Sequence, residues 1–204
     1  MLYRLFIAVP VPHAVQQELR QVQEKLGQAL PRSGIRWGPP DQIHLTLRFL
    51  GDVPEERVPD LTTTLERVCG DYAPMPLSAR GVGCFPNSRR PRVLWAGVEE
   101  ASTQTGRRRP LVRLKSALDA TTHAFTGEPP ETHFSPHLTL GRFKFILPAE
   151  AQALAQMAEG FAQHSFGDWT AEHAELLRSE LSAEGASHTG LARFRFSAES
   201  RPAE

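Results

Sequence analysis

IHLTLRFLG, at residues 43–51, is the stretch that decides the fold, because its core returns at residues 136–142 as PHLTLGR. Both copies alternate polar and apolar residues with a period of two, which predicts half-buried strands. On the first copy, His44, Thr46 and Arg48 share one face. A single copy would most often be a strand whose polar residues face solvent, whereas two copies indicate duplicated units that share a site.

The second copy places His137 and Thr139 on one face in the same way. In each copy the imidazole and the hydroxyl lie about 7 Å apart along the strand, at roughly 3.3 Å per residue, which suits an oxyanion. A pair of histidines, with unperturbed pKa values of about 6.5, can supply a base and an acid at the same pH. The repeat therefore predicts His44 and His137 as catalytic residues, with Thr46 and Thr139 as phosphate-binding residues. The alternative is a duplicated strand whose His and Thr are only cross-strand surface pairs.

The composition is that of an ordinary globular chain. The 204 residues are 40% hydrophobic and 23% charged with a formal net charge of zero, so the protein as a whole is not a surface for long nucleic acids. Cys69 and Cys84 have no metal-binding spacing, which indicates free thiols in a reducing, cytoplasmic setting. Residues 2–9 lack the features of a signal peptide, and no apolar run approaches the roughly eighteen residues of a membrane span. We expect one domain over residues 1–204 and a monomer.

Hydrophobic periodicity predicts an α+β chain in which the order of elements is duplicated. Besides the two motif strands, strands are predicted at residues 2–9, 77–85, 92–98, 166–169, 174–180 and 192–197. Helices are predicted at residues 13–30, 55–72, 110–125 and 148–162, and the polar residues 101–109 are expected to be mobile. No GxGxxG or P-loop motif interrupts this order. The predicted fold is two pseudo-symmetric lobes, each an antiparallel sheet backed by helices, with the active site in the groove between them.

Five segments, taken in order, resemble one known family. They read YRLFIAVPVP, IRWGPPDQIHLTLRFLGDV, CFPNSRRPRVLWAGVE, FSPHLTLGRFK and LLRSELSAEGASHTGLARF. With its paired His-x-Thr motifs, the chain resembles the 2H phosphoesterases, and within them the bacterial RNA 2',3'-cyclic phosphodiesterases, also called 2'-5' RNA ligases. The chain departs from the family at His133, at His188, where the resemblance leads us to expect tyrosine, and at QTGRRRP, a local insertion.

The resemblance implies the bilobal 2H fold and hydrolysis of a terminal RNA 2',3'-cyclic phosphate to a 2'-phosphomonoester, without a cofactor or metal. It implies that the 3' oxygen leaves, with His44 as the acid and His137 as the base, and that the reverse reaction can join RNA ends. Two alternatives stay open. One is a 2H phosphodiesterase that acts on 2'-5' oligonucleotides or cyclic ADP-ribose phosphates, and the other is a module that binds RNA ends without turnover.

Four further residues are weaker candidates for substrate binding. Arg48 shares the face of His44 and could reach the phosphate or the rim of the cleft, whereas Arg142 falls on the opposite face of its strand unless the strand bulges or ends there. Phe134 and Phe85 could stack on a base, although core packing is the more frequent use of phenylalanine.

The other histidines suggest no further site. His133 and His137 are four residues apart, as in helical metal sites, but Pro136 excludes a helix there, so no metal site is predicted. No role is predicted for the rest, which are His13, His123, His164, His173 and His188.

Overall fold

A computed structural model of the chain describes residues 1–100, 109–181 and 186–197. Its strands are β1 (Leu2–Pro10), β2 (Ile35–Trp37), β3 (His44–Pro54), β4 (Met75–Phe85), β5 (Val93–Glu100), β6 (His137–Phe143), β7 (Ser165–Ala171), β8 (His173–Leu181) and β9 (Ala186–Arg195). Its helices are α1 (His13–Ala29), α2 (Val58–Gly70), α3 (Pro110–Thr122) and α4 (Pro148–Gly160). The α+β prediction is confirmed, and β3 and β6 are the two motif strands.

The strands form one curled antiparallel sheet. Its order is β7-β4-β5-β6-β3-β1-β8-β9, and the short β2 also pairs with β6. We call β3, β1, β8 and β9 the first half, and β7, β4, β5, β6 and β2 the second half. The two motif strands meet at the centre, where Leu45 pairs with Leu138. This pair joins the two predicted sheets into one, and the motif strands meet between the halves as predicted.

Helices cover one face of each half. α1 forms because apolar side chains recur every three or four residues, and they are buried against the second half together with α4. α2 and α3 cover the first half, where α2 contacts β8 and β9 and α3 contacts β3. Each half is therefore backed by one helix from the N-terminal part of the chain and one from the C-terminal part. The helices are thus exchanged between the halves, and a single domain over residues 1–204 stays a prediction.

Most element boundaries agree with the predictions to within a few residues. The helix predicted at 55–72 begins as a 3₁₀ turn, Glu55–Arg57, and the helix at 110–125 ends as another, His123–Phe125. The last strand begins at Ala186, six residues before its predicted start. Residues 101–108 of the predicted mobile segment lie outside the described residues. Within the described ranges, no helix is both long and apolar enough to cross a membrane.

Candidate active site

The first motif strand changes the direction of its side chains at Leu47. Thr46 and Arg48 pair with consecutive residues of β1, so Leu47 is an extra residue, a β-bulge. After the bulge, Arg48 lies on the helix-covered side, where it is 3% exposed, and Phe49 turns to the open side, where it is 50% exposed. Phe49, rather than Arg48, therefore continues the face of His44 and Thr46.

The second motif strand has the same bulge at the same place. Thr139 and Gly141 pair with consecutive residues of β5, so Leu140 is the extra residue. The residue after Gly141 is Arg142, which is exposed on the face of His137 and Thr139. From the sequence, Arg142 would face the cleft only if its strand bulged or ended, and the strand does bulge, at Leu140. Arg142 occupies the position that Phe49 occupies in the first half.

A buried amide holds the bulge in β6. The Gln23 side chain in α1 donates hydrogen bonds to the carbonyls of Leu140, at 2.9 Å, and Gly38, at 2.8 Å. The backbone N–H of Gly38 donates to the same Leu140 carbonyl at 2.9 Å. A bulge leaves a backbone group outside the regular ladder, and these two donors satisfy it. Gln23 was not predicted from the sequence, although a lone amide on the apolar face of α1 was a usable signal.

The pairing of Leu45 with Leu138 determines how the four motif residues face one another. The side chains of Leu45 and Leu138 point into the core, so the residues beside them point into the cleft. Continuing this antiparallel register by one residue sets His44 opposite Thr139, and His137 opposite Thr46. Each imidazole then faces the hydroxyl of the other strand, an arrangement suited to one phosphate between them.

Both histidines are held in the same tautomer. The Nδ1 atom of His44 lies 2.7 Å from the carbonyl oxygen of Gln42, and that of His137 lies 2.7 Å from the carbonyl oxygen of Ser135. A carbonyl oxygen only accepts, so each Nδ1 carries the hydrogen and donates it. Nε2 is left on each ring as the nitrogen that can take or give a proton.

The His44 ring lies in an aromatic cluster. Its centroid is 4.9 Å from that of Phe6 and 5.3 Å from that of His188, and Phe6 also contacts Phe49. The pKa of His44 is lowered to about 4, mainly by burial and also by the charges of His188, Arg142 and His137, while the hydrogen bond to the Gln42 carbonyl acts in the opposite direction. Burial also lowers the pKa of His188. His188 was given no role from the sequence, yet the structure brings it into the cleft.

The His137 ring packs against one aromatic residue of the second half, and a second aromatic residue lies behind that one. Phe85 stands nearly perpendicular to His137, with centroids 5.0 Å apart, and Trp95 packs against Phe85 at 5.1 Å. Phe85 therefore lies at the cleft, as the stacking prediction required. Phe134 is partly buried against the core, with the Lys115 ammonium 5.7 Å from its ring centroid. These contacts agree with the core-packing alternative for Phe134.

Arg48 is a correction to the sequence analysis. Its guanidinium donates to the carbonyls of Glu128, at 2.6 Å, and Pro129, at 2.7 Å, and its Nε lies 3.4 Å from a carboxylate oxygen of Asp119. Lys115 donates to the same carboxylate. The bulge at Leu47 turns Arg48 out of the cleft, so it ties the first motif strand to α3 and to the segment before the second motif strand. It does not lie with Thr46 and Thr139.

Comparison with known proteins agrees with this geometry. The LigT like Phosphoesterase family matches residues 9–95 and 103–186. The RNA 2',3'-cyclic phosphodiesterase of Methanothermobacter thermautotrophicus is 31% identical over 195 residues, which are 96% of this chain and 100% of the relative. The protein of the same name from Thermus thermophilus is 35% identical over 198 residues, covering 94% of this chain and 89% of the relative.

Solved structures have the same fold. The crystal structure of TT0787 from Thermus thermophilus superposes with a TM-score of 0.77 at 34% identity and covers 96% of this chain and 99% of its own. Escherichia coli LigT complexed with 3'-AMP has a TM-score of 0.71 at 21% identity and covers 97% and 100%. Because the family match includes both motif strands, the chain belongs to the LigT-like phosphoesterase family.

Proposed function

We propose that this protein is an RNA 2',3'-cyclic phosphodiesterase that leaves a 2'-phosphomonoester. The observation that carries the proposal is the matched pair of imidazoles, each with Nδ1 bound to a backbone carbonyl and Nε2 left for proton transfer. Relatives of nearly the same length that are named RNA 2',3'-cyclic phosphodiesterase support it. Binding an anion would not require two such rings, and this favours turnover over a module that only binds RNA ends.

In the proposed reaction, water attacks the cyclic phosphorus in line with the bond to the 3' oxygen. One imidazole takes the proton of the water as the new P–O bond forms, and the other gives its proton to the 3' oxygen as that bond breaks. The hydroxyls of Thr46 and Thr139 donate to the non-bridging oxygens, and Arg142 offsets their negative charge. Solvent then restores the two imidazoles to their starting protonation states.

The roles of the two histidines follow the resemblance, with His44 as the acid and His137 as the base. The low pKa of His44 means that the ring is neutral in the free protein near pH 7. An acid must carry a proton, so this assignment requires the bound phosphate to raise the pKa of His44. The negative charge of a phosphate beside the ring acts in that direction.

The variant His137→Ala tests this polarity, because His44 is then the one histidine of the two motifs that can titrate. With His44 as the acid, kcat/KM of the variant should fall as pH rises through about 4, where the free ring loses its proton. A rise through the same range would identify His44 as the base. A cyclic substrate with sulfur in place of the 3' oxygen needs less help from an acid, so it should rescue His44→Ala more than His137→Ala.

Product analysis tests the activity itself. An oligoribonucleotide with a 2',3'-cyclic end should be converted to a 2'-phosphate, identified by ³¹P NMR, and turnover should persist in excess EDTA. Faster turnover of 2'-5' oligonucleotides or of cyclic ADP-ribose phosphates would identify the other phosphodiesterase class. Saturable binding without product would identify a binding module. The monomeric state and the cytoplasmic location stay predictions.

A further inference from the structure

Each histidine of the cleft packs against a second ring that stands nearly perpendicular to it. Phe85 stands at 83° to His137 with centroids 5.0 Å apart, and His188 stands at 82° to His44 with centroids 5.3 Å apart. The two partners differ in residue type and come from different halves, yet the geometry is the same. We propose that His188 is a positioning residue that holds His44 in the cleft as Phe85 holds His137. This inference rests on the proposed roles of His44 and His137.

His188 reaches His44 because the first half of the sheet curls. In the strand order, β9 is separated from β3 by β8 and β1. Neighbouring strands are about 4.8 Å apart, so a flat sheet would hold β9 and β3 roughly 14 Å from each other. The rings of His188 and His44 are nevertheless in contact, and both touch the ring of Phe6 in β1. The curl thus forms a three-ring cluster with His44 as one of its members.

This packing supplies a restraint that the hydrogen bond of His44 lacks. The bond from Nδ1 to the Gln42 carbonyl fixes the tautomer, but one bonded atom leaves the ring free to rock about it. Phe6 is inclined at 31° to the His44 ring and His188 stands across it at 82°, so the two contacts limit different motions. The Nε2 atom of His44 then stays pointed in one direction. A displacement of about 1 Å from reactive geometry can cost on the order of 100-fold in rate.

The surroundings of the His188 imidazole oppose a positive charge on the ring, although the Ser187 backbone acts in the other direction. Burial lowers its pKa, which favours the neutral form. Its Nδ1 atom is buried and has no hydrogen-bond partner within the described part of the chain. From β6, the charges of Arg142 and His137 oppose a proton on His44, and a protonated His188 would oppose it as well. An aromatic ring of similar size without nitrogen should therefore do most of what His188 does.

Two substitutions at one position separate the ring from its nitrogen atoms. His188→Ala should lower kcat by about 10- to 100-fold with little change in KM, because His44 loses its restraint. His188→Phe should recover most of that loss. The matched control is His164→Ala, since His164 also packs between two aromatic rings, Phe161 and Phe166, but contacts neither histidine of the cleft. The control should turn over like the wild type, and circular dichroism should confirm that all three variants fold.

¹⁵N NMR of the His44 ring gives a readout that does not depend on turnover. In the wild type the ring should show one tautomer, with the hydrogen on Nδ1. In His188→Ala, water enters beside the ring, so its tautomers should mix and its pKa should rise from about 4 toward its ordinary value. His188→Phe should keep the wild-type signals. If His44→Ala leaves turnover intact while these spectra change, the proposed function fails and the positioning role stands.

Three results would overturn the proposal. The first is a His188→Ala protein whose ¹⁵N signals and kcat match those of the wild type. The second is a His188→Phe protein as impaired as His188→Ala, because the nitrogen atoms would then be what matters. The third is a loss confined to KM that disappears with a substrate lacking its nucleobase, which would make His188 a substrate contact instead.

Discussion

The two halves of the sheet are alike up to the bulge and different beyond it. Both motif strands carry His-Leu-Thr-Leu, both bond Nδ1 of the histidine to the carbonyl two residues earlier, and both bulge at the second leucine. Beyond the bulge, the cleft face receives Phe49 in the first half and Arg142 in the second. The shared part contains the groups that proton transfer needs. The unshared part can distinguish one end of a substrate from the other.

The surroundings of the two histidines differ as well. His44 is packed by Phe6 and His188, and burial is the main cause of its low pKa. His137 lies beside Phe85, the last residue of β4 before the loop to β5. The two histidines hold matching positions in the repeated motif, but different side chains surround them. Different surroundings can give the two histidines different roles in one displacement, one as the acid and one as the base.

Removing either histidine should have the largest effect, because it breaks the shared part of the two halves. His44→Ala and His137→Ala should each lower kcat/KM by about 10²- to 10⁴-fold, the usual worth of general acid or base catalysis. Groups that act in one displacement are not additive, so the double variant should be scarcely worse than the poorer single variant. Steady-state kinetics over a range of pH provides the measurement. A double-variant loss equal to the product of the two single losses would show that the halves act separately.

Replacing a motif threonine should have a smaller effect than replacing a histidine. Thr46→Val and Thr139→Val keep the β-branched shape that suits a strand and remove one donor to the phosphate. We expect each to cost about 10- to 100-fold in kcat/KM, in proportion to one lost charge-assisted hydrogen bond of roughly 1.5–3 kcal/mol. Similar losses at the two positions would support the symmetry of the cleft. A Thr46→Val protein as inactive as His44→Ala would mean that the hydroxyl does more than hold the phosphate.

The sequence predicted the shared part of the halves and misplaced the unshared part. A period of two places His44 and Thr46 correctly because nothing interrupts the strand between them. The same period carried past the bulge puts Arg48 in the cleft, where the structure has Phe49. A bulge depends on partners elsewhere, such as Gln23, which is 117 residues from the Leu140 carbonyl that it binds. Strand alternation alone contains no sign of such a partner.

His188 escaped the sequence analysis for a related reason. It belongs to the edge strand β9, and the curl of the sheet, a property of the whole fold, brings it to His44. The helix-covered core was easier to predict, because every buried leucine of the two motifs obeys the local period. Contacts along one strand were therefore predictable, whereas contacts across several strands were not.

Exchanging the unlike residues tests whether they orient the substrate. Arg142→Phe places in the second half the residue type that Phe49 provides in the first. It should raise KM by about 10-fold, with a smaller change in kcat, because the phosphate loses contact with a cation. The slope of log KM against log salt should also become shallower, since one ionic contact is removed. Phe49→Leu, on the other half, is the matched control and should leave the salt dependence unchanged. An equal change of slope in both variants would contradict an ionic role for Arg142.

Removing the amide that holds the bulge should give the smallest of these effects. Gln23→Leu keeps the size and burial of the side chain but removes one of the two hydrogen-bond donors to the Leu140 carbonyl. The Gly38 N–H is the donor that remains. The bulge should loosen and Arg142 should leave the cleft for part of the time, so KM should rise about threefold to tenfold and the salt dependence should become shallower, as in Arg142→Phe. Because Arg142 lowers the pKa of His44, that pKa should also rise slightly in Gln23→Leu.

Gln21→Leu, on the exposed face of the same helix, is the control. If Gln23 acts only through Arg142, adding Gln23→Leu to Arg142→Phe should change KM no further. If the two substitutions instead raise KM independently, Gln23 belongs to the residues that merely stabilise the fold.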